Sequence, residues 1–85
     1  MTRTIVTEEV LRRRLAVNVR SARNAASLTL KVASAQVAMH WRHWQKIEAG
    51  QVNVTLQTLE RLGKVLGLDP SNLLGDPTVG SVKKN

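Results

Sequence analysis

The sequence predicts an all-α domain of five helices. Three observations carry this. Apolar residues recur at three- and four-residue spacing through successive segments. Each segment follows a residue whose side chain can cap a helix. No stretch alternates apolar and polar residues as a half-buried strand would.

The first helix is expected from about Glu8 to Ala26. Thr7 can cap it, and Glu8 and Glu9 suit the positive end of the helix dipole. Leu11, Leu15, Val19, Ala22 and Ala26 form its apolar stripe. Thr29 can cap a short second helix, Leu30 to about Val37, with Ala33 and Val37 toward the core. Ala38-Met39 makes a tight turn. His40 opens a third helix that ends before Gly50, a residue suited to positive φ. Trp44 and Ile47 share its inner face, leaving Trp41, Arg42, Gln45 and Lys46 to face outward. Thr55 can cap a fourth helix with Leu56, Leu59, Leu62 and Leu66 on one stripe. Asp69 and Pro70 fit the cap and first position of a fifth, Pro70 to Leu74. Residues 1–7 then read as a flexible arm, 8–75 as the domain, and 76–85 as a flexible tail.

Eighty-five residues allow one small domain. Such a chain buries only roughly 60 to 65% of its unfolded surface, so dimerisation is a reasonable source of added stability. The net charge of +7 points to a polyanionic partner: nucleic acid, an anionic membrane surface or an acidic protein. The alternative is a solubilising surface. With no cysteine, disulfides and thiolate metal sites are excluded. No apolar run can span a bilayer, and MTRTIVTEEVLRRR lacks the apolar core of a signal peptide. A cytoplasmic location is the expectation.

All the aromatic residues lie in HWRHWQKIEAG, residues 40 to 50: Trp41 and Trp44, with both histidines beside them. His40 and His43 could share a metal, but no third ligand is evident, so neither a metal nor a cofactor is expected. The six carboxylates show no pairing with histidine for acid-base work, and no glycine-rich phosphate loop exists. An enzyme is not expected. Arg12-Arg13-Arg14 has the form of a solvated helix face. Leu73, Leu74, Val79 and Val82 exceed what a small monomer needs and could form a dimer seam.

Two short helices across a tight turn, the second bearing basic and polar residues, have the layout of a helix-turn-helix. LTLKVASAQVAMHWRHWQKIEAG (Leu28 to Gly50) resembles the helix-turn-helix core of the Cro and cI repressors, the XRE-like family. Leu28-Thr29, Val37-Ala38-Met39 and Ile47-Glu48-Ala49-Gly50 fall at matching spacing. NVTLQTLERLGKVLGLDPSNLL (Asn53 to Leu74) is similar to that family's last two helices. The resemblance implies a five-helix, lambda-repressor-like domain. It also implies a homodimeric, double-stranded DNA-binding transcriptional regulator with helix 40–49 in the major groove. Trp41, Arg42, Gln45 and Lys46 fall where relatives read bases. Thr29, Lys31, His40, His43, Gln51, Asn53 and Arg20 are candidates for phosphate contacts. Arg23 and Glu48 match a structural ion pair. Ala38 occupies the usual turn-glycine position. Leu30 replaces a glutamine that contacts phosphate in relatives, a job Leu30 cannot do and its neighbours Thr29 and Lys31 can. A rival reading keeps the fold but gives it to a protein partner, as in antitoxins.

Overall fold

The computed structural model describes residues 5–80. It is all-helical, with no strand among the described residues. The four main helices are α1 (Glu8–Ala25), α2 (Leu30–Gln36), α3 (Trp41–Glu48) and α4 (Leu56–Leu66). Residues 1–4 of the arm and 81–85 of the tail lie outside the described residues, as does the side chain of Val79 and all of Val82.

Each helix starts where a side chain satisfies an orphan backbone donor. Thr7 accepts from Val10 N at 3.2 Å, Thr29 from Val32 N at 3.1 Å, and Thr55 from Thr58 N at 3.0 Å. His40 caps α3 through Nδ1, which accepts from Arg42 N at 3.1 Å.

The helices also end alike. A left-handed residue follows each one: Ser27, Ala38, Gly50 and Gly67. The next residue then donates back five positions: Leu28 to Arg23, Met39 to Ser34, Gln51 to Lys46, and Leu68 to Gly63. This closure fills carbonyls that the helix leaves open and turns the chain sharply.

The expected fifth helix, Pro70–Leu74, is a 3-10 segment rather than an α-helix, so the count of five gives way to four main α-helices. The segment is one short turn, and its terminal carbonyls are taken from outside. Asn18 Nδ2 on α1 donates to Leu73 O at 2.9 Å and Gly75 O at 2.8 Å. Those bonds, and the extended backbone at Gly75, stop it from winding on. A single α-helical turn follows at Pro77–Gly80.

The core gathers Leu15, Val19, Ala33, Trp44, Ile47, Leu59, Leu62 and Leu73. Three expectations need correction. Leu56 is not on the core stripe of α4: it is 83% exposed, because the first residue of α4 overhangs the end of the core. Leu73 cannot serve a dimer seam: it is buried beneath α1 and α4. Ala26 is exposed because the helix has already ended there.

Candidate nucleic-acid interface

The third helix has an anchored face and a free one. Trp44, Ile47 and Glu48 are buried. Spacing of three and four residues puts them on one side. Arg42, His43, Gln45 and Lys46 are exposed on the rest of the surface.

The anchor includes a charge. Glu48 accepts from Arg23 Nε at 2.6 Å and from Arg23 Nη2 at 3.0 Å, a two-point pairing between α3 and α1. Trp44 Nε1 donates to the same carboxylate at 2.7 Å. Arg20 Nε stands 3.6 Å away, with its side chain largely exposed. Burial pushes the Glu48 carboxyl up. The hydrogen bonds from Arg23 and Trp44, with the charges of Arg23 and Arg20, outweigh that and hold it below the ordinary range. The Arg23 guanidinium is raised in turn, chiefly by its bond to Glu48. Arg23 Nη1 also donates to Leu28 O at 2.8 Å, so the pair braces the α1–α2 turn as well. No buried side-chain polar atom is left without a partner among the described residues.

The turn between α2 and α3 is held from a third direction. Arg61 on α4 donates to Val37 O. Ser34 is buried in α2 and donates to Lys31 O at 3.2 Å. Neither role is visible in the sequence pattern, since both residues look like ordinary surface polar groups. The Trp44–Glu48 bond did have a signal, an indole donor four residues before a carboxylate on one helix.

The candidate contact residues divide by location. Lys31, His40, Trp41 and Arg42 converge at the adjoining N-terminal ends of α2 and α3. Trp41 is half-buried, stacked on His40 at 5.8 Å between ring centroids. Lys31 Nζ lies 5.6 Å and Arg42 Cζ 5.4 Å from its ring centre. Thr29 is beside them, its oxygen used as the α2 cap. Leu30 packs against the core instead of facing outward. Gln51 and Asn53 follow α3 and are exposed. The Asn53 side-chain oxygen Oδ1 accepts from Arg12 Nη1 at 2.9 Å, which ties that loop to α1. Arg20 stands apart from these, against Glu48. In the arginine run, Arg12 and Arg13 pair with Glu8 and Glu9 one turn back, while Arg14 reaches Leu74 O at 3.5 Å. Among the described residues, no three His, Cys, Asp or Glu side chains converge as metal ligands. No helix there is long and apolar enough to cross a membrane.

A short helix, a tight left-handed turn and a second helix with an anchored back and a cationic front constitute a helix-turn-helix. A family model described as a helix-turn-helix domain matches residues 14–74, and the chain belongs to that family. Among solved structures, the chain is similar to a hypothetical transcription factor, NHTF, from Neisseria. The match covers 95% of this chain and 93% of that one, with a TM-score of 0.81 and 22% identity. At that identity the likeness is one of fold. Comparison with curated proteins finds no match.

Proposed function

We propose that this protein is a sequence-specific, double-stranded DNA-binding transcriptional regulator of the Cro/cI, XRE-like branch. It has the lambda-repressor-like fold and works in the cytoplasm, by binding and without catalysis. The observation that carries the reading is the two-faced α3. Its back is locked by Trp44, Ile47 and the Arg23–Glu48 pair, and its front presents Arg42, Gln45 and Lys46 with no carboxylate paired to them among the described residues. A rigid helix with free donors is what major-groove readout needs. Arg20, Thr29, Lys31, His40, His43, Gln51 and Asn53 are available to the flanking phosphates. The +7 charge supports a polyanionic ligand.

The protein acts as a homodimer on two half-sites about one helical turn apart. An apolar groove of about 280 Å³ supports association. Leu11, Val52, Val54 and Leu74 help line it, and the exposed Leu56 stands at its edge. The same groove favours a second reading, in which the fold docks a protein partner as antitoxins do. Anisotropy titration against a selected duplex pool tests the first reading. A preferred duplex, with log K falling steeply against log salt, supports it. No preference over random DNA at moderate salt sinks it. Sedimentation of the free protein decides whether it self-associates.

A further inference from the structure

Trp41 has an environment that base reading alone does not account for. It is the first residue of α3, and two cations lie within cation–π reach of its ring, one from each helix of the motif. Lys31 comes from the first turn of α2, and Arg42 follows Trp41 directly. His40 stacks on the same indole with the ring planes 25° apart. No ion pair ties Lys31 or Arg42 to a carboxylate among the described residues. Two like charges are thus gathered beside one ring with no anion to offset them. The negative face of the indole favours each cation, and a bound anion would complete the arrangement. Leu30, next to Lys31, is turned into the core and offers no polar link between α2 and α3.

We infer that Trp41 is a positioning residue: its indole is a platform that holds the Lys31 ammonium and the Arg42 guanidinium as a two-cation clamp for one backbone phosphate of duplex DNA. The inference rests on the DNA-binding reading and refines it. Arg42 becomes a phosphate ligand, and base discrimination passes to Gln45 and Lys46.

The test uses the full chain with Trp41→Leu, Trp41→Phe and Lys31→Gln. Leucine keeps bulk without a π face, and phenylalanine keeps the face. In the unbound protein, proton NMR should show the Lys31 ε and Arg42 δ methylene signals shifted upfield by ring current. The shifts should persist in Trp41→Phe and vanish in Trp41→Leu. On the preferred duplex, Trp41→Leu and Lys31→Gln should each reduce the slope of log K against log salt by about 1. They should weaken all sequences alike, and combining them should cost little more than the worse of the two. Trp41→Phe should keep the native slope. A Trp41→Leu protein with a native slope but altered preference at one base pair would show that Trp41 reads a base, and the clamp is wrong. Native protein that binds its duplex without upfield shifts also overturns the clamp, leaving DNA binding intact. If the native protein binds no duplex, the DNA-binding reading fails and the clamp goes with it.

Discussion

Trp44 and Glu48, one turn apart on α3, are joined by a 2.7 Å hydrogen bond to the carboxylate oxygen that also accepts from Arg23 Nε at 2.6 Å. The bond makes the buried face of α3 a single unit. A large apolar ring fills the core while its one polar atom helps to neutralise the carboxylate beside it. Arg23→Ala leaves that carboxylate buried with only Trp44 and the largely exposed Arg20, 3.6 Å away, beside it. The expected loss is about 3 kcal/mol of unfolding free energy. Urea denaturation measures it, and a loss below about 1 kcal/mol would show that solvent reaches the pair. Glu48→Gln should cost less, because the amide oxygen can still accept from the indole.

The same carboxylate sets a pH dependence. Its pKa is lower in the folded protein than the ordinary value of 4.5. The unfolded chain therefore binds the proton more readily, and acid favours unfolding. Its contribution is full above about pH 4.5 and falls away as pH drops through the folded value. Native protein should thus lose stability in acid faster than Glu48→Gln, and their difference should be flat above pH 6. Denaturation midpoints at several pH values test this. A difference unchanged down to pH 3 would mean that folding leaves the Glu48 pKa where it stands in the unfolded chain.

The four left-handed helix ends contain two glycines and two side-chain residues, Ser27 and Ala38. An L-residue pays roughly 1–2 kcal/mol in that conformation, while glycine loses roughly 0.5–1 kcal/mol of chain entropy. The balance favours glycine at Ala38, whose φ is 53°. Ala38→Gly should stabilise by about 0.5–1 kcal/mol, and Gly50→Ala should do the reverse. Thermal midpoints shifted in opposite directions would match; a destabilised Ala38→Gly would not.

Gly63 has the opposite logic. It is buried in the middle of α4, where alanine is the better helix former by about 1 kcal/mol. A Cβ there would meet Leu68 O at 2.7 Å and Pro70 Cγ at 2.9 Å. Backbone and a proline ring cannot swing aside, so Gly63→Ala should destabilise by about 1–3 kcal/mol despite propensity. Equal or greater stability in a melt would show that the 68–70 connection can move.

These positions show how much was legible from the sequence. Cap signals at Thr7, Thr29, His40, Thr55 and Asp69 are local, and each side chain does accept a backbone N–H. Trp44 was readable as core because Ile47 lies three residues on. What the sequence pattern missed depends on distant partners. The 3-10 form of Pro70–Leu74 depends on Asn18, 55 residues from Leu73. The hold on the turn comes from Arg61 in another helix. Leu56 fits an apolar period, but only the position of the core's edge exposes it. At the candidate interface, Arg42 and Lys46 were readable as outward cations, yet the meeting of Lys31 with Trp41 requires α2 and α3 to be docked.

Lys46 and Gln45 provide the sharpest test of the proposed base reading by α3. Both are exposed, and neither is engaged by a carboxylate among the described residues. A side chain that contacts a base edge discriminates among base pairs, while one that contacts phosphate attracts every sequence equally. Gln45→Ala and Lys46→Ala should each cost about 1–3 kcal/mol on the preferred duplex and relax preference at one or two base pairs. Arg20→Ala should instead weaken all duplexes alike and lower the salt slope by about 1. Selection profiles of the variants, read beside salt titrations, separate the two behaviours. If Lys46→Ala and Gln45→Ala keep the native preference at every position, the base-reading surface is not the front of α3.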